Sequence, residues 1–228
     1  AHKNMADGML AAAELGWIDG IMMSYNYRLM VQDKMKRAVD ACVEAGIGLT
    51  AMKTQAAFTA NFYASIGSET DDAIKMTENF MKKGYTAEQA KLKVVWENPN
   101  IASICSAMPN MTILQANVAA ALNKKELSKG DRRRLQRYAR QTAHGYCAGC
   151  SQICEAVTHL DVPISDILRY SMYHHSYGDR DTAHRLFNTL SSEIKSNILK
   201  ADYSKAEEYC PQNIQIAKVL KKAYEALG

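Results

Sequence analysis

The sequence predicts an α/β chain whose first part is a parallel sheet covered by helices and whose second part is all-α. Three observations carry this. Through residue 123, amphipathic helical stretches alternate with short, nearly continuous apolar runs, the pattern of strands buried in a parallel sheet. Beyond Lys124 the apolar runs stop and helical stretches alone follow. The clustered cysteines all fall in that second part. The expected domains are residues 1–123 and 124–228, and the length suffices for one large domain or two small ones.

Residues 3–15 (KNMADGMLAAAEL) have helical spacing, and Gly16 stops them because glycine readily takes the left-handed conformation at a helix end. IDGIMMSY, 18–25, then reads as a buried strand. The unit recurs as a helix over 33–45, a stop at Gly46, and the strand IGLTAMK at 47–53. A third copy starts at Thr86, the expected N-cap, with Gln89 as its capping-box partner. It ends before Asn98-Pro99, and the strand IASICSAM (101–108) and a helix over 112–123 follow. The second part predicts helices at about 129–143, 163–177, 179–190 and 213–227.

A right-handed βα series belongs to a doubly wound sheet or to a (β/α)8 barrel. Three strands cannot close a barrel, so the barrel reading makes 1–123 its C-terminal segment, with the rest upstream. The opening AHKNMADGML has neither an initiator methionine nor a signal-peptide profile, and reads as a fragment or processed product. Such a segment is expected to expose strand edges and apolar surface, and to pair with the missing sequence or with another copy.

The net charge of +4 is too small to argue for nucleic acid, and no apolar stretch is long enough to cross a bilayer. The one basic concentration, KKELSKGDRRRLQRYAR at 124–140, reads first as a solvated helix face. Its second reading is a docking patch for an acidic partner such as an electron-transfer protein. The aromatic interleaving of a single-strand nucleic-acid platform is lacking.

Cys42 and Cys105 lie in a helical and a strand pattern and read as small packing residues. The other four are Cys147, Cys150 and Cys154, spaced C-x2-C-x3-C, and Cys210 followed by Pro211. Thiolates so spaced can converge on one centre, and an iron–sulfur cluster takes four of them, with a Cys-Pro pair familiar at the last ligand. A four-cysteine zinc site uses the same donors, although its usual second CxxC knuckle is missing here. Disulfides would need an oxidising compartment, and a thioredoxin-like CxxC would need a βαβ setting. His144, His159, His174 and His175 read as surface or supporting residues. Tyr170, Tyr173 and Tyr177 read as packing of the helical module, and Met9, Met22, Met23, Met35 and Met52 as core filler.

The segments GWIDGIMMSYNYRLM, AGIGLTAMKTQ and NPNIASICSAMPNMTILQANVAAAL resemble the last three strands and helices of the aldo/keto reductase barrel. YCAGCSQICEA and EEYCPQNIQI resemble the iron–sulfur extension of a bacterial branch of that family. The resemblance implies a (β/α)8 barrel that reduces carbonyls by hydride transfer from NAD(P)H, with an appended 4Fe–4S module. The family's catalytic tetrad comes from the first half of the barrel, so none of it is carried onto this chain. Asn4 or His2 corresponds to the contact with the nicotinamide carboxamide, and Asn117 to the asparagine that meets adenine. Lys53, at the carboxyl end of a strand, would meet phosphate or a substrate carboxylate; its other reading is a snorkelling lysine. The chain departs from the family at Met22, Met52, Ile113 and Ala116, where cofactor-binding residues are usual.

The expected function is thus an oxidoreductase of the aldo/keto reductase type, reducing a small carbonyl substrate and carrying a 4Fe–4S cluster on Cys147, Cys150, Cys154 and Cys210. This chain alone is expected to be inactive. The alternative is a non-enzymatic protein in which a zinc or iron–sulfur site staples the helical module beside an interaction surface. Expected partners are the substrate, an electron-transfer protein and a second copy of the chain, with neither nucleic acid nor membrane. A reducing cytoplasm suits the thiols, and a lost export signal would move the protein to the periplasm.

Overall fold

A computed structural model describes residues 3–56, 78–108, 110–141, 143, 146–176 and 178–228. They form two compact units, which divide in the sequence after Arg140. The composition change near Lys124 lies ahead of that division, so the helix of the basic run belongs with the sheet.

The first unit runs α1 (Met5–Ala13), β1 (Gly20–Ser24), α2 (Asp33–Glu44), β2 (Gly48–Met52), α3 (Ala87–Trp96), β3 (Ile101–Cys105), α4 (Met111–Leu122) and α5 (Lys129–Gln141). The strands form one parallel sheet in the order β1-β2-β3. Gly16 and Gly46 take φ of 69° and 73°, the left-handed helix stops that the sequence predicts.

Among the described residues one face of the sheet is covered more fully than the other. Met23, Leu49, Ala51 and Ile101 are buried. The opposite face carries two cross-strand rows, Met22–Thr50–Ser103 and Ser24–Met52–Cys105. In the first row Thr50 and Ser103 share a hydrogen bond of 2.8 Å, and Met22 is 50% exposed. The expectation that all these methionines fill core therefore holds for Met9, Met23 and Met35 but fails for Met22, and Met52 is half-buried. Cys42 is buried as expected, its thiol 3.6 Å from the Met9 carbonyl, whereas Cys105 is exposed on the open face. Trp17, Met111 and Leu122 are exposed as well.

α3 begins with the capping box read from the sequence. The Thr86 hydroxyl accepts from Gln89 N–H at 3.1 Å, and the Gln89 side chain accepts from Thr86 N–H at 2.9 Å. Thr86→Ala leaves an N-terminal amide unpaired and should lower stability in urea unfolding by about 1 kcal/mol, while Thr86→Ser should retain most of it.

α5 docks by its aromatic side. Tyr138 stacks on Tyr27 at 6.2 Å, and buried Arg28 donates to the carbonyls of Ala56 (2.9 Å) and Ala139 (2.8 Å). The Lys91 amine lies 5.8 Å from the Tyr138 ring centre. Burial pulls its pKa down to about 8, Glu88 opposes the shift, and Arg28 adds to it. An unfolded chain holds that proton until about pH 10.5, so between the two values the unfolded state binds more protons and folding strengthens as pH rises. Lys91→Met should flatten this rise between pH 8 and 10, and should stabilise the protein at pH 7 by roughly 1–3 kcal/mol. Urea titrations across that range measure both.

The second unit contains α6 (Ser151–Cys154), a 3-10 turn (Glu155–Val157), α7 (Ile164–Ser176), α8 (Arg180–Asn188), α9 (Ser192–Lys200), α10 (Ser204–Tyr209) and α11 (Ile216–Leu227). Ile164, Ile167, Phe187, Ile216 and Leu220 form its centre. α7, α8 and α11 lie where the sequence predicts helices. α9 and α10 are additional, and their start signals are local: Ser191 accepts from Ile194 N–H, and Asp202 accepts from the amide and hydroxyl of Ser204. Among the described residues no helix is long and apolar enough to cross a membrane.

Candidate metal centre

Two segments of the second unit supply the four clustered cysteines. The first leaves buried Tyr146 and passes through Gly149, which lies between Cys147 and Cys150 with a φ of 78°. A side chain at Gly149 would strain the backbone there. The Gly149 amide donates to the Cys147 sulfur at 3.4 Å, the kind of N–H to sulfur bond that stabilises a thiolate at a cluster. Cys150 precedes α6 and Cys154 closes it.

The second segment is the end of α10. Cys210 caps this helix, Pro211 prevents its continuation, and Asn213 N–H donates to the Cys210 carbonyl at 3.0 Å. Asn213 has a φ of 52°, so the chain leaves the cysteine by a tight turn. α10 packs on α6 and on the 3-10 turn, which brings Cys210 to the first three cysteines. Cys147, Cys154 and Cys210 all lie against the unit's apolar core.

The four thiols act on one another electrostatically. Burial pushes Cys147 up to about 12; Cys150, Cys154 and Cys210 add to the rise, and the Gly149 amide opposes it. Cys154 is likewise pushed up to about 12, by burial first, then by Glu155, Cys150 and Cys210. None of the four is in a disulfide. Among the described residues no group of three or more His, Cys, Asp or Glu side chains is already arranged to hold a metal ion. The thiols are neighbours that a bound centre must draw together. As a donor set of four soft sulfurs from one unit, with an amide hydrogen on one of them, they fit a thiolate-ligated group.

His174, His175 and His184 stand together on two other helices of the unit. His174 meets His175 at 4.6 Å and His184 at 5.5 Å, edge to face at the α7–α8 corner. Burial holds His174 and His175 below the ordinary histidine range, with Arg180 reinforcing both. Tyr170 is buried and Tyr173 packs on the core. His2, His144 and Tyr177 lie outside the described residues.

The three residues singled out for a nucleotide are spread over the first unit. Lys53 directly follows β2 in a left-handed conformation (φ 54°), and its carbonyl accepts from the Asn26 amide at 3.2 Å. A lysine held at positive φ is conformationally costly, a feature common at binding sites. Asn117 donates to the Ser106 hydroxyl, just after β3, at 3.2 Å. These two therefore stand toward the carboxyl ends of the strands. Asn4 precedes α1 at φ 48°, without a side-chain cap to that helix. No protein-family profile matches the chain, and no curated protein matches it.

Proposed function

We propose that Cys147, Cys150, Cys154 and Cys210 hold a 4Fe–4S cluster, and that the chain is the C-terminal part of an oxidoreductase of the aldo/keto reductase type. One observation carries the cluster: the packing of α10 on α6 and the 3-10 turn brings cysteines from two segments far apart in sequence to one place, within electrostatic reach of one another. A cluster bound there exchanges single electrons. The chain's own part is to shield it. Tyr146 and the α7–α11 core keep the site apolar, the Gly149 amide supports the Cys147 thiolate, and Pro211 turns the chain away.

The barrel part rests on the unevenly covered sheet. Parallel strands are ordinarily covered on both faces, and exposed Met22, Ser103 and Cys105 leave room on the second face for further strands of the same barrel. Carbonyl reduction with NAD(P)H is the activity that this reading assigns to the whole protein. Lys53, Asn117 and Asn4 would line the nucleotide side. The open face also suits the second reading, a stapled helical module beside an interaction surface.

Redox titration separates the two. Dithionite should reversibly bleach the visible absorption of the anaerobically purified protein and produce a paramagnetic signal in frozen solution. A colourless protein with no response to reductant would leave the cysteines as a structural zinc site.

A further inference from the structure

A cleft of about 680 Å³ opens in the first unit where α3 and α4 end, on the side away from the carboxyl ends of the strands. Its volume is within the range of small-molecule sites. Lys93, Trp96, Ala120, Asn123, Lys124 and Lys125 line it.

Its charges are unevenly matched. On one wall Arg132 is committed to Glu97 at 2.7 Å and reaches exposed Glu126 at 3.8 Å, while Glu97 also accepts from Leu127 N–H. Among the described residues the three lysines have no carboxylate within salt-bridge distance. Lys93 is only 7% exposed, and its amine donates to the Asn123 carbonyl at 2.7 Å. An ammonium has three donors, so the same amine can also donate to a ligand in the cleft. The turn after α4 is fixed above it, since the Asn123 side chain accepts from Lys125 N–H at 2.9 Å. That turn sets exposed Lys124 and Lys125 at the cleft mouth. Burial pulls the Lys93 pKa down, Glu97 opposes the shift, and Lys125 adds to it.

The kind of anion follows from the donors. Planar bidentate capture of a carboxylate is the work of arginine, and Arg132 is occupied. Lysines act as point charges and serve phosphate well. Trp96 and Ala120 supply an apolar wall beside them. We propose that this cleft binds a small phosphorylated compound, its phosphate on Lys93, Lys124 and Lys125 and its organic part against Trp96. The site is independent of the cysteine centre.

Calorimetry on the full chain at low salt tests this with inorganic pyrophosphate, phenyl phosphate and citrate. Both phosphates should bind saturably, and citrate should bind at least ten-fold more weakly. The exposed pair change Lys124→Gln/Lys125→Gln, checked for fold by circular dichroism, should weaken both phosphates ten-fold or more. Trp96→Ala should weaken phenyl phosphate and leave pyrophosphate unchanged. Absence of binding heat, citrate binding as tightly as the phosphates, or affinities indifferent to the lysine changes would each overturn the proposal.

Discussion

Replacing Cys210 with alanine is expected to remove most of the iron and the visible colour from the anaerobically purified protein. Three thiols on one short segment cannot complete four-thiolate ligation, and Cys210 is the thiol that ties α10 to α6. Metal binding is linked to folding because the bound group stabilises only the state that assembles its ligands. The same variant should therefore melt the second unit at lower temperature than the loaded parent. Cys105→Ala is the matched control, since Cys105 is exposed on β3 in the other unit. Its iron content should equal that of the parent. Equal iron in the Cys210 variant, or equal loss in the Cys105 variant, would remove these four cysteines as the ligand set.

The second large effect is expected at Asp131, at the start of α5. Its carboxylate is 2% exposed and accepts from Lys83 at 2.5 Å, Tyr85 at 3.2 Å, and the Ser128 amide and hydroxyl at 3.1 and 2.6 Å. Arg134 approaches to 3.4 Å. Burial by itself would raise the carboxyl pKa, but the Lys83 and Ser128 hydrogen bonds outweigh it and hold it at about 2. Asp131→Ala strands the buried Tyr85 hydroxyl and the partly buried donors of Lys83 and Ser128, and should lower stability by about 2–3 kcal/mol, below the figure for a fully buried pair because Lys83 is partly solvated. The pH dependence has a definite sign. The unfolded carboxyl titrates near 3.8 and the folded one near 2, so the contribution is complete above pH 4 and is lost as pH falls toward 2. Asp131→Asn should flatten that limb in acid unfolding followed by circular dichroism.

Much of the fold is written locally. Gly16, Gly46 and the Thr86–Gln89 box act through backbone conformation and neighbouring amides, and all three work as read. The strands follow from apolar runs, but which face of a strand is covered depends on what lies across it. That is why Met22 and Cys105, apolar in pattern, are exposed. α9 begins at a Ser191 cap and α10 after an Asp202–Ser204 contact, both short helices whose apolar stripe is too brief for periodicity alone to mark. At the site, C-x2-C-x3-C marks the first three thiols, and the proline marks Cys210. The left-handed Gly149 whose amide meets the Cys147 sulfur is a matter of φ, which spacing does not encode. The Lys93 cleft is assembled from two helix ends and a turn, and in the sequence its lysines merge with an ordinary basic run.

The most direct test of the central claim is the iron, acid-labile sulfide and zinc content of the protein purified without oxygen. The cluster reading predicts about four irons and four sulfides per chain with little zinc. One zinc per chain without sulfide would contradict it, and would make the four cysteines a structural staple.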